Sequence, residues 1–172
     1  MPSLPPISHG PTRRRFVAGG AALGSAVLAA PGWAQDLARV GGAFDLTLAP
    51  LGVNFTGLGR TATAINGSIP GPLLHLRQGE TARVKVTNRL VALSSIHWHG
   101  VLVLPDMDGV PGISFPGIAP GQAFTYEFPV IQGPGTYWYH AHTLHEQTGV
   151  YGPIIIEGEE ADFPKADRDY VV

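Results

Sequence analysis

Apolar and polar residues alternate from Phe44 to Ala49, the period-two pattern of a strand with one buried face. The alternation is cleanest over Glu80–Asn88, where Ala82, Val84 and Val86 fall on one side and Thr81, Arg83, Lys85 and Thr87 on the other. Thr61–Ile65 is a short β-type run ended by the turn signal Asn66-Gly67, and Ser68-Ile69-Pro70-Gly71-Pro72 continues it as loop. Leu73-Leu74-His75-Leu76 reads as a strand with His75 on its polar side. Ser95–Leu104, Gln122–Val130, Gly135–His142 and Val150–Glu157 are further strand candidates. Loops rich in Pro and Gly separate them at Pro105–Gly121, Gln132-Gly133-Pro134 and Gly152-Pro153. No long amphipathic helix is visible, only a short helical turn over Leu144–Thr148, and no repeat is apparent. Many short strands at this spacing predict an all-β Greek-key sandwich or barrel.

Composition supports a folded chain and narrows its chemistry. Of 172 residues, 44% are hydrophobic and 14% charged, which is too apolar for intrinsic disorder. The 23 Gly and 16 Pro follow no collagen period and serve turns. A net charge of −2 offers no basic face for nucleic acid. Arg77, Arg83, Lys85 and Arg89 read as a solvated strand face. There is no cysteine. That excludes disulfides, thiolate zinc sites, iron–sulfur clusters, a cysteine nucleophile and a blue-copper thiolate. A metal here must be held by histidine, carboxylate or backbone.

The ends read differently from the middle. Thr12-Arg13-Arg14-Arg15-Phe16-Val17 precedes an uncharged, Ala/Gly-rich run from Ala18 to Ala30, and Gly32-Trp33-Ala34 supplies small residues for cleavage. These are the parts of an export signal, and the paired arginines resemble a twin-arginine (Tat) signal, which engages the Tat export machinery. The apolar run is too short for a bilayer span, which needs about 20 residues. Residues 1–34 are therefore expected to be a cleaved signal, with export to the periplasm and no membrane span in the mature chain. Residues 35–158 are expected to form one domain. Beyond Glu157 the chain turns acidic and polar to Asp169, and Tyr170-Val171-Val172 opens a new apolar run. Residues 159–172 thus read as a linker and the start of a truncated next domain.

The histidines carry the chemistry. Two His-x-His pairs, His97-Trp98-His99 and His140-Ala141-His142, fall within or at the end of expected strands. On a strand, residues i and i+2 share a face, about 7 Å apart. If a Greek-key return lays the two strands side by side, four neutral imidazoles converge with no sulfur among them, a donor set that suits copper, zinc, iron or nickel. Trp98, Trp138, Tyr137 and Tyr139 are expected to shield them. Hydrogen-bonded strand histidines with no metal are the plainer alternative.

The segments His97-Trp98-His99-Gly100 and Trp138-Tyr139-His140-Ala141-His142 resemble the copper signatures of the first cupredoxin domain of multicopper oxidases, laccases among them. Ala64–Pro72, Asp108-Gly109-Val110-Pro111-Gly112, Gly135-Thr136-Tyr137 and Glu146–Pro153 match as well. The likeness runs from about Phe44 to Val172 and is greatest to the periplasmic copper-resistance protein A subgroup. It implies a cupredoxin-like sandwich and a copper cluster shared with the last domain of a longer protein. By resemblance, His97 serves the type 2 copper, and His99, His140 and His142 serve the type 3 pair. The remaining ligands and the type 1 site belong to the last domain's His-Cys-His motif, which this sequence lacks. The chain would hold about half of the cluster's ligands and be inactive alone. Its partners would be the missing C-terminal cupredoxin domain, oxygen and a reducing substrate such as cuprous ion or a phenol.

Asp108 lies eleven residues after His97, where similar sequences place a carboxylate that relays protons beside the type 2 copper; an ordinary turn Asp before Gly109 is the alternative. Asp106 fits that role less well. The family pattern has no ligand at His145, and His75 reads as structural. Met107 is the only methionine after the signal, so copper-loading Met-rich segments are absent from this stretch. A stand-alone copper-binding cupredoxin without enzymatic activity competes with the oxidase reading. A zinc hydrolase is disfavoured, because no His-x-His-x-Asp-His pattern or partnered general base is present.

Overall fold

The structure is a computed structural model and describes residues 42–158. The expected signal and the expected linker lie outside the described residues. Eight strands follow in chain order: β1 (Ala43–Val53), β2 (Arg60–Ile65), β3 (Leu74–Arg77), β4 (Thr81–Asn88), β5 (His97–His99), β6 (Ala123–Pro129), β7 (Gly135–His140) and β8 (Tyr151–Glu157). Two 3₁₀ turns interrupt them, Pro105–Met107 and Glu146–Thr148. The second falls inside the predicted Leu144–Thr148 turn.

The strands form two four-stranded sheets, one ordered β2-β1-β4-β6 and the other β3-β8-β7-β5. The chain passes repeatedly from one sheet to the other, as a Greek-key sandwich requires, and β1–β4 and β3–β8 pair in parallel. The all-β reading therefore holds. Asn66-Gly67 closes a two-residue turn across which Ile65 and Ser68 exchange both backbone hydrogen bonds.

Alternation along the strands builds the core. Ala82, Val84 and Val86 of β4 are buried, while Thr81, Arg83 and Lys85 face solvent. Leu46 and Leu48 of β1 join them, with Tyr126 and Phe128 of β6. From the opposite sheet come Leu74, Leu76, Trp98, Tyr139, Ile154 and Ile156. The two layers meet where the Trp98 ring packs edge-on to Tyr126 and tilted against Phe128, both 5.2 Å away.

Asn88 continues the inward face of β4 and is fully buried. Its Nδ2 donates to the carbonyls of Ala92 and Ile118 at 2.9 and 2.8 Å, and its Oδ1 accepts from Leu90 N–H at 2.9 Å. Each polar atom is thereby satisfied, as burial demands. The Asn holds the loop after β4, and Ser94 and Ile118 then exchange a pair of backbone bonds. That loop delivers Ser94 and Ser95 to the histidines.

Two expectations are corrected. The strand expected over Ser95–Leu104 is only three residues long, because Gly100 takes a left-handed φ of 78° and Val101 N–H turns back to the Trp98 carbonyl. The strand expected over Gly135–His142 ends at His140, so His142 stands on the following loop.

Candidate metal centre

β5 and β7 run antiparallel with His97 opposite His140 and His99 opposite Trp138. The pleat therefore puts His97, His99, Trp138 and His140 on one face. It turns Trp98 and Tyr139 to the other face, into the core. Of the four aromatics expected to shield the site, only Trp138 lies on the histidine face, where it stacks on His140 at 4.1 Å and packs against His99 at 4.9 Å. Trp98 and Tyr139 stiffen the strands from behind. Tyr139 Oη donates to the Pro72 carbonyl at 2.7 Å and Trp98 Nε1 to the Met107 carbonyl at 3.0 Å. Tyr137 turns its hydroxyl to the Gly133 carbonyl instead of the site.

All four histidines of the two pairs converge. The His97 ring centre lies 5.9 Å from His99, 5.3 Å from His140 and 5.3 Å from His142. One ligand nitrogen from each of His97, His99 and His140 falls within 4.8 Å of the others. His142 arrives off the strand, its backbone N–H donating to Ser95 Oγ at 3.1 Å.

Hydrogen bonds assign the ring nitrogens. His97 Nδ1 faces two acceptors of Asp108, the backbone carbonyl at 2.8 Å and Oδ1 at 3.2 Å. It therefore carries the proton and leaves the Nε2 lone pair free. His140 Nδ1 likewise faces the Ala141 carbonyl at 3.0 Å and Glu146 Oε2 at 3.4 Å, which frees its Nε2. That Nε2 stands 3.3 Å from His99 Nδ1. Two nitrogens bonded at about 2.0–2.1 Å to one tetrahedral ion stand about 3.3 Å apart, so an ion can replace the proton between these rings. Burial lowers the His140 pKa, and the neighbouring His97 and His99 lower it further, against the pull of the Ala141 carbonyl and Glu146. A neutral imidazole is the form that binds metal. Donor type, spacing and protonation fit an imidazole-held metal.

Asp108 sits in the loop after the first 3₁₀ turn, one-third exposed and against His97. The sharp turn behind it needs glycine: Gly109 has φ 75°, and a Cβ there would overlap the Ile96 carbonyl oxygen. Asp106 is exposed in the 3₁₀ turn. His75 pairs with Glu157 Oε1 at 2.8 Å on β3, outside the cluster. His145 is half-buried with its Nδ1 within 3.1 Å of both Ser94 Oγ and Thr143 Oγ1. Sequence reasoning did not single out Glu146, Ser94 or Ser95. Its one available signal was a carboxylate in the predicted turn after the second pair.

The two-sheet sandwich is cupredoxin-like, and the imidazoles on and beside its β5–β7 pair make it the fold of a histidine-held metal domain. The chain belongs to the multicopper oxidases: the family model of that description matches residues 49–161. Copper resistance protein A of Pseudomonas syringae pv. tomato is 48% identical over 94% of this chain and 28% of its own length. Copper resistance protein A of Escherichia coli is 52% identical over 75% of this chain and 21% of its own. The crystal structure of a multi-copper oxidase from Pseudomonas thermotolerans superposes with a TM-score of 0.66 at 33% identity, covering 71% of this chain and 30% of that one. The chain thus spans less than a third of the length of these relatives. Family membership implies copper. Among the described residues, no helix is long and apolar enough to cross a membrane.

Proposed function

We propose that this chain is the first domain of a periplasmic multicopper oxidase, exported by the Tat route on residues 1–34, with residues 35–158 as the cupredoxin domain. The observation that carries the reading is the convergence of His97, His99, His140 and His142 on one face of the β5–β7 pair. His97 would hold the type 2 copper, and His99, His140 and His142 the type 3 pair. The complementary ligands would come from a C-terminal cupredoxin domain. Copper, when bound, supplies one-electron transfer and reduction of oxygen to water. The complete enzyme would draw those electrons from cuprous ion or phenols.

The chain's own residues hold and prepare that site. His97 and His140 present bare nitrogens because the Asp108 and Ala141 backbone carbonyls accept from their Nδ1–H, with the Asp108 and Glu146 carboxylates close by at 3.2 and 3.4 Å. Trp138 covers one face of His140 and keeps water off it. Asp108 touches His97 and reaches solvent, so its carboxylate can take up a proton and hold it beside the site.

Oxygen consumption by the copper-loaded 172-residue chain, with cuprous ion or a phenol as reductant, tests the reading. The chain alone should show no sustained turnover and no intense blue band, because it has no thiolate. The complete protein should turn over. There, Asp108→Asn should keep the copper count and slow oxygen reduction. Sustained turnover by the isolated chain contradicts the half-site reading. Copper binding that survives loss of both His pairs removes its basis.

A further inference from the structure

The two histidines whose Nδ1 proton is fixed share one pattern. Each Nδ1 faces a backbone carbonyl and a carboxylate together: Asp108 O and Oδ1 for His97, Ala141 O and Glu146 Oε2 for His140. Among the described residues, no carboxylate pairs with His99 or His142. Asp108 was already singled out by its spacing from His97, whereas Glu146 has no assigned role.

The turn that carries Glu146 is fixed at both ends. At its start, His145 is held by the hydroxyls of Ser94 and Thr143, and Ser94 is fully buried. At its end, Thr148 Oγ1 bonds Thr63 Oγ1 of β2 at 2.6 Å and donates to the His145 carbonyl. Gly149 then bends with φ 127°, and a Cβ there would overlap the Thr63 carbonyl oxygen. Two separate segments of the fold, the loop carrying Ser94 and strand β2 at Thr63, thus pin a three-residue turn. Glu146 is itself 40% exposed. A surface carboxylate needs no such anchoring unless its position matters.

We infer that Glu146 is a positioning residue for His140. Its carboxylate would hold the Nδ1–H tautomer and the ring direction, so that Nε2 points at His99 Nδ1, and its charge would strengthen the imidazole as a metal donor. Ser94, through His145, would set the turn that brings the carboxylate there. This inference rests on the reading that His140 holds copper.

The test uses the full chain and cupric ion alone. Competition with a chelator gives affinity, and two-dimensional ¹⁵N spectra of the metal-free protein give the His140 tautomer. Glu146→Ala should weaken cupric binding about 10-fold to 100-fold and let the Nε2–H tautomer of His140 appear, with the metal-free thermal midpoint unchanged. Glu146→Gln keeps an acceptor and should retain the tautomer while losing less affinity. His140→Ala serves as the control for the underlying reading. If it leaves affinity intact, the copper role of His140 fails. If it weakens binding while Glu146→Ala stays within twofold of the parent, Glu146 has no positioning role. Glu146→Gln as damaging as Glu146→Ala would equally overturn the proposal.

Discussion

Strand β4 and the β5–β7 pair both alternate residue by residue, but the alternation does different work in each. β4 is eight residues long and hydrogen-bonded on both sides, to β1 and β6. Its inward face is Ala82, Val84 and Val86, and its role ends with burial. β5 has three residues, lies at a sheet edge and pairs only with β7. Its alternation sends Trp98 into the core and His97 and His99 outward. One region uses the pleat to hide apolar surface. The other anchors a core tryptophan so that polar rings stand where a metal can reach them. Stability and chemistry are therefore separable by face: the first resides in the two-layer core, to which the edge pair contributes Trp98 and Tyr139, the second on the opposite, histidine-bearing face of that pair.

Substitutions should divide along that line. Val84→Asp should have the largest effect, costing about 4 kcal/mol or more, because it buries an unpaired charge between β1 and β6. Urea unfolding followed by circular dichroism measures it, and a stable, cooperative variant would break the distinction. His97→Ala should do the opposite. Cupric affinity should fall by at least about 100-fold, the upper end of what loss of an outer partner costs, with the metal-free urea midpoint hardly moved. A collapse in stability would show that the histidine face does serve the core.

Asn88→Ala bridges the two regions, since Asn88 sits on the core face of β4 and holds the loop that carries Ser94 and Ser95. It leaves the buried Leu90 N–H without its acceptor and takes a donor from the Ala92 and Ile118 carbonyls, of which Ile118 keeps its bond from Ser94 N–H, and should cost about 2 kcal/mol, with some loss of copper affinity as His142 loses its anchor. Affinity unchanged in a destabilised variant would show that the Ser95 contact is dispensable.

The smallest effect should come from acid. Burial lowers the pKa of both His140 and His145 in the folded chain. The unfolded chain therefore binds protons more readily, from about pH 6.5 downward. The contribution to stability is complete above that pH and is lost as pH falls through the depressed folded values. Metal-free unfolding midpoints at pH 7.5, 6.5 and 5.5 should decline in that order. Removing both residues, as in His140→Gln with His145→Gln, should flatten the decline.

The fold was largely legible because its determinants are local. The strand signals located β4, β6 and β8 almost to their ends, found β1 but stopped four residues short of its end at Val53, and Asn66-Gly67 marked its own turn. The site was half legible. The His-x-His spacing identified the four rings, and cysteine's absence excluded thiolate ligands. The expectation that both pairs ride on strands failed at His142, because β7 ends two residues early and Ser95 holds the following loop. The expected aromatic shield failed at Trp98 and Tyr139, because the pleat that turns the histidines outward must turn their neighbours inward.

By itself, then, the sequence determined the strand pattern, the donor chemistry and the family signature, because each is written in neighbouring residues. Only the tertiary structure decided that His97 faces His140 and that Glu146 reaches His140. Those placements depend on sheet register and on hydroxyl and carbonyl contacts between residues far apart in the chain, such as Ser94 with His145 and Thr63 with Thr148. No spacing within one segment encodes them, since each exists only once the two sheets have closed over a common core.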